Sequence, residues 1–212
     1  MPAVAGAWAV KIAVAGLGLA LWAATPAEAT PKNLQGKTIK FSFTTAVSGG
    51  GTCVNRSSIR FAKDQLFYSQ EFISCGGSGD ELPKGYGVVV PVNGSGAIKN
   101  SCKSDYGDRV ERCTDGFIRK RDGRMRARET WSGSKSSKVT EGRVEVSQRM
   151  NMVGSWSNRD GQGGSYNVNV DVTLTISVSG KSCQVTGYRQ RTSGSSPFSS
   201  NLVSAQKCSI SG

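Results

Sequence analysis

The chain contains no histidine. That removes the commonest general base and metal ligand, and with it Ser-His-Asp triads, Cys-His pairs and histidine-ligated zinc. No Cys-x-x-Cys occurs either, and the nearest two cysteines, Cys102 and Cys113, have ten residues between them. Thiol redox pairs and cysteine-held metal clusters therefore have no support, and no cofactor is implied. Gly49-Gly50-Gly51 lacks the following lysine and helix of a phosphate-binding loop and reads as a flexible turn. Beyond Ala24 no run is apolar enough to cross a membrane, no repeat recurs and no linker divides the chain. The chemistry left open is that of paired carboxylates. Asp105, Asp108, Glu111 and Asp115 lie in and around the Cys102–Cys113 segment, and Glu129, Glu141 and Glu145 lie on extended stretches. Their spacing singles out no acid and base of the glycosidase kind, and solvated carboxylates are the plainer reading.

What is present begins with an export signal. Lys11 precedes an apolar run from Ile12 to Ala24, Pro26 ends it, and Ala27-Glu28-Ala29 places small residues where a signal peptidase reads. The run falls short of the ~20 residues of a membrane-spanning helix. Residues 1–29 are expected to be a cleaved signal peptide and residues 30–212 a single secreted or periplasmic domain. Lys11 and Glu28 leave together, so the mature part keeps the formal charge of +12. A balance that basic favours an anionic partner such as an envelope or extracellular glycan or lipid, against the plainer alternative of charge that only maintains solubility.

The mature chain alternates with period two. Ile39, Phe41 and Phe43 face away from Lys40, Ser42 and Thr44, and the run from Val168 to Val178 alternates apolar with Asn, Asp, Thr and Ser. Further strands are expected at Ser57–Ala62, Leu66–Ile73, Gly85–Val92, Phe117–Arg121, Arg124–Trp131, Val139–Met150, Ser182–Arg189 and Leu202–Ile210, separated by glycine- and serine-rich turns. The fold class is all-β: a single disulfide-bonded domain, an antiparallel sandwich or barrel. Asn55-Arg56-Ser57 and Asn93-Gly94-Ser95 match the glycosylation acceptor pattern, which matters only in a eukaryotic source.

All six cysteines, 53, 75, 102, 113, 183 and 208, follow the export segment and read as a disulfide set. A hairpin turning through Lys63-Asp64-Gln65 would set Phe61 against Phe67 and Cys53 against Cys75, provided no bulge intervenes. Cys102 and Cys113 bracket a polar turn and form a local pair, which leaves Cys183 for Cys208.

The densest charge signal is Phe117-Ile118-Arg119-Lys120-Arg121-Asp122-Gly123-Arg124-Met125-Arg126-Ala127-Arg128. Asp-Gly between extended runs signals a two-residue hairpin. It would oppose Arg121 with Arg124, Arg119 with Arg126 and Phe117 with Arg128, bringing Arg119, Arg121, Arg124, Arg126 and Arg128 onto one face. Opposed like charges are destabilising. They would be relieved by solvent and nearby carboxylates, with Glu145 beside Arg126 if Ala127 faces Val144, or by an anionic ligand held through guanidinium forks. Interleaved aromatics are nearly absent, which disfavours nucleic acid.

The opening Leu34-Gln35-Gly36-Lys37-Thr38-Ile39 and the closing Ser182-Cys183-Gln184-Val185 with Lys207-Cys208-Ser209-Ile210 resemble a group of short secreted proteins of unknown function from soil and plant-associated Gram-negative bacteria. The resemblance departs in the middle of the chain. It implies export from a bacterial cell and a Cys183–Cys208 bridge, and it implies no activity. The functional expectation is a non-catalytic binding module for an anionic envelope or extracellular glycan or lipid. The alternatives are a carboxylate-based enzyme acting on polysaccharide and a hydrolase inhibitor.

Overall fold

Alternating side chains build nearly every ordered element of the computed structural model, which describes residues 29–76, 78–81, 87–114, 118–120, 123–195 and 197–212. The strands are β1 (Thr38–Val47), β2 (Thr52–Phe61), β3 (Gln65–Cys75), β4 (Ser78–Glu81), β5 (Gly87–Pro91), β6 (Ser95–Ser104), β7 (Val110–Cys113), β8 (Ile118–Lys120), β9 (Met125–Val139), β10 (Arg143–Asn158), β11 (Gly163–Ser179), β12 (Ser182–Gly194) and β13 (Phe198–Ser211). They form one 13-stranded antiparallel sheet in the order β4-β3-β2-β1-β13-β12-β11-β10-β9-β6-β7-β8, with β5 also pairing along β3. The sheet curls into a half-barrel, so the barrel-like member of the expected pair of architectures is the one adopted. The expected signal peptide lies outside the described residues apart from Ala29. Thr30 is buried, its N–H donating to Lys63 O (2.7 Å) and its hydroxyl to Ala62 O (2.6 Å).

Inward residues at one end pack into a closed core. Ile39, Phe41 and Phe43 of β1, Ile59 and Phe61 of β2, and Leu66 of β3 meet Val144, Val146, Leu174 and Ile176 from the far side. The turn after β5 seals this end. Asn93 donates to Val139 O (2.9 Å) and accepts from Val139 N–H (2.5 Å), while Ser137 Oγ donates to Pro91 O (2.7 Å). Away from that corner β5 and β6 do not pair among the described residues, and a lateral seam separates the two sides of the sheet. The convex face carries Lys40, Arg56, Arg60, Asn167, Asn169, Asp171, Arg189 and Arg191 outward. It is the inverse of a lipid-facing barrel, whose outer band is apolar. No helix among the described residues is long and apolar enough to cross a membrane.

The three disulfides are Cys53–Cys75, Cys102–Cys113 and Cys183–Cys208, as the strand reading paired them. They fit an oxidising, non-cytoplasmic compartment. The route to the first needs correction. Near the turn Phe61 faces Leu66 and Arg60 faces Phe67, one residue away from the expected register, and a bulge between Gln70 and Phe72 absorbs the offset so that Cys53 meets Cys75. The bulge restores the alignment it was expected to break. Cys183 and Cys208 join strands whose ladder runs only from Arg189–Asn201 to Thr192–Phe198, so this bridge spans a gap between β12 and β13.

Three other expectations change. Val139–Met150 is not one strand, because Thr140 to Gly142 turn between β9 and β10 and Val144 faces Val139 rather than Ala127. Strands β6 and β7 form where none was anticipated. Arg121 and Asp122 of the expected Asp122-Gly123 hairpin lie outside the described residues, and among those described its two arms do not pair with each other. Both edges of β9 are taken, by β10 and β6, so β8 pairs instead with β7, where Arg119 opposes Glu111.

Candidate functional site: a seam-opened cavity on the concave face

Past the closed core the inner face stops filling itself. On β2 the inward partners of Phe41 and Phe43 are the smaller Ser57 and Asn55, and β1 ends its inward series in Thr45, all three buried. The facing strands carry on with Gln148, Met150 and Met152 on β10 and Val168, Val170 and Val172 on β11. A cavity of about 480 Å³ remains between these strands and Tyr68, Gln70, Gly87 and Val88 of β3 and β5. That lies within the ~300–1,000 Å³ usual for small-molecule sites. The lining is apolar with few polar groups, and the two methionines add adaptable surface.

The polar groups are placed by the ladders. Gln70 donates to Asn55 Oδ1 (3.2 Å), and Tyr188 donates to Gln190 Oε1 (2.9 Å). Burial pushes the Tyr188 hydroxyl above the ordinary phenol range, with Tyr68 adding to the effect, so it stays a neutral donor. Gln148 faces Lys135 directly across β9 and β10, and neither makes a hydrogen bond or ion pair among the described residues. The Lys135 stem runs over Gly96, where a Cβ would stand 3.5 Å from Lys135 Cε. The seam has Gly87 and Val88 on one lip and Ala97, Ile98 and Lys99 on the other.

Trp131 forms part of the wall and is held from behind. Glu129, buried on β9, accepts from the Trp131 indole N–H and from the Tyr166 hydroxyl. Tyr166 reaches it across Gly154, the residue between them in the β9–β10–β11 row, and a Cβ at Gly154 would lie 2.5 Å from the Tyr166 ring. Glycine is required there by the close approach of that ring. Glu111 is the second fully buried carboxylate among the described residues and sits on β7. Strand spacing puts its Cα roughly 12 Å from that of Glu129. Among the described residues no cluster of three potential metal ligands occurs.

No protein-family model, curated protein or solved structure matches the chain.

The five arginines singled out in the sequence are not brought onto one ladder. Arg121 lies outside the described residues, and of Arg119 only the backbone is described, three strands away from β9 at the sheet edge. Arg124 is exposed just ahead of β9. Arg126 and Arg128 share the convex face and converge on Asp105, at 3.1 and 2.9 Å. The Arg128 hydrogen bond, with both guanidinium charges behind it, holds the Asp105 carboxyl below its usual range. Arg126 also lies over the Tyr106 ring, 5.1 Å from its centroid. The charge expected to relieve them, Glu145, pairs with Arg143 at 2.8 Å instead.

Both glycosylation-type asparagines are spoken for. Asn55 points inward and is buried, and Asn93 clamps Val139 with both ends of its amide. The cavity itself went unread in the sequence. Its signal was there in Gln148, which interrupts the inward series Val144, Val146, Met150, Met152, and in Lys135 two residues from inward Ser137.

Proposed function

We propose that the chain is a secreted or periplasmic, non-catalytic binding module that holds a small apolar or amphiphilic molecule in the concave cavity. The observation that carries this reading is the cavity: about 480 Å³ walled by valines, methionines and aromatic rings, and left unfilled by its own side chains. Empty apolar volume in a fold that elsewhere packs Phe43 and Phe61 to near-zero exposure is a cost to stability, and a ligand offsets it. Among the partners the basic charge favours, the apolar lining supports a lipid-like molecule over a glycan, whose hydroxyls would lose water against valine and methionine without enough partners. The carboxylates support binding over catalysis. Glu129 is engaged by Trp131 and Tyr166, and Glu111 lies on the far side of β6.

The test is displacement of a fluorescent apolar probe from the protein spanning residues 30–212. Saturable binding at one site is expected, and Val170→Trp should abolish it by filling the cavity while the thermal midpoint holds or rises. Unchanged probe binding in that variant would refute the assignment.

A further inference from the structure

The convex side of the sheet carries a pattern of its own. Ladder partners share a face, and Lys103 on β6 pairs with Arg112 on β7 and with Arg128 on β9, so three exposed cations stand side by side in one row. Like charges directly opposed across a ladder are destabilising. Asp105 offsets part of this, lying within 3.1 Å of Arg128 and of Arg126 on the same face and feeling the Lys103 charge, but Lys103 and Arg112 form no ion pair among the described residues. The row runs on through Ser155 and Ser165 of β10 and β11.

The parallel rows hold neutral donors and acceptors. Thr130 and Asn167 stand in the next, and Lys99, Ser132, Asn151 and Asn169 in the one after. Asn151 donates to the side-chain carbonyls of Asn167 (2.6 Å) and Asn169 (3.0 Å), which fixes both amides and leaves their own side-chain N–H groups without acceptors among the described residues. Val153 is the one apolar side chain in these rows, and none is aromatic. A bilayer would find nothing to insert, and a nucleic acid no ring to stack on. Hydroxyls, amides and cations in one field match instead the hydroxyls and acid groups of a sugar chain. Neighbouring strands stand ~4.8 Å apart, so each step along the cation row spans about one sugar ring.

We propose that this convex field binds an acidic polysaccharide, a chain with carboxylates on its rings, which lies along Arg112, Lys103 and Arg128 and meets the flanking serine, threonine and asparagine side chains through its hydroxyls. It is a second site, on the other side of the sheet from the cavity. Neither assignment depends on the other.

The experiment measures binding of the protein spanning residues 30–212 to alginate, to neutral dextran and to phosphatidylglycerol vesicles, by calorimetry at low and physiological salt. Alginate is expected to bind, with dextran and the vesicles far weaker, and its affinity should fall as salt rises. Lys103→Gln/Arg112→Gln should weaken alginate binding about tenfold while the thermal midpoint holds or rises, because an opposed pair of like charges is gone. Lys40→Gln/Lys207→Gln removes the same charge from exposed positions on β1 and β13 and should leave the affinity close to that of the parent. Asn151→Leu should weaken binding at physiological salt as well, where screened charge contributes least. Equal losses in the two double variants, or vesicles bound more tightly than alginate, would overturn the assignment. So would absence of alginate binding, and the displacement of an apolar probe from the cavity would stand unaffected.

Discussion

The closed and open halves of the concave face come from the same alternation and part company only in what fills it. At the closed end the inward residues of β1 and β2 are Ile39, Phe41, Phe43, Ile59 and Phe61, and they reach the opposite strands. Opposite Phe41 and Phe43, β2 turns the smaller Ser57 and Asn55 inward, and farther along the opposite strands Met150, Met152, Val168 and Val170 border a cavity. Alternation tells which way a side chain points. Whether the face it joins is packed depends on the summed reach of two walls far apart in sequence.

That contrast can be broken most severely at the closed end. Phe43→Ala removes a fully buried ring that packs on Phe41 and Tyr188 and should cost about 3–5 kcal/mol in denaturant unfolding. Met150→Ala, on the cavity wall, should cost no more than about 1 kcal/mol, since part of its surface already faces empty volume, yet it should alter amphiphile affinity more than Phe43→Ala does. Comparable destabilisation by the two would mean that the halves are packed alike.

The next effect lies at the boundary between β12 and β13. Replacing Cys183 and Cys208 by serine should lower stability by about 2–4 kcal/mol, because the bridge closes a stretch of sheet where ladder bonds are missing. A loss well below that range would show the gap to be held by packing alone.

The smallest effect is on the convex face. Asp105→Asn should weaken the fold slightly at neutral pH. The native carboxyl is held below its ordinary value of 3.8, so its contribution is present above that pH and fades as pH falls through the lower native value. Variant and parent should therefore begin to converge as pH falls past 3.8 and coincide once it is below the lower native value, and a difference unchanged across that fall would place the effect elsewhere.

The sequence disclosed the faces of the strands and the three bridges, since period-two patterning and cysteine spacing are local or nearly so. It misled at Asp122-Gly123. That dipeptide is a sound hairpin signal, but β9 satisfies both its edges with β10 and β6, and pairing β8 with β7 sets Arg119 against Glu111 rather than against Arg126. Asn93-Gly94 was the turn that mattered. Asn93 adopts a positive φ of 49° there and sends the chain from β5, on one side of the sheet, to β6 on the other. Nothing local marks such a crossing. The cavity was hidden for the same reason, because its two walls are distant in sequence and each looks ordinary alone.

The adjacency of β1 and β13 has a consequence for the timing of folding. Thr38 pairs with Ser211 and Lys37 reaches the carbonyl of Gly212 (2.7 Å), so the first and last strands lie side by side in the middle of the sheet. Hairpins such as β10–β11 can form as soon as their residues are made. The strands on the two sides of the sheet are joined into one ladder only once the final residues have left the ribosome. Topology dominated by such distant pairing folds slowly. Under the proposed export, slow closure of the ladder leaves the chain time to cross a membrane unfolded, and the half-barrel assembles on arrival, where thiols can oxidise.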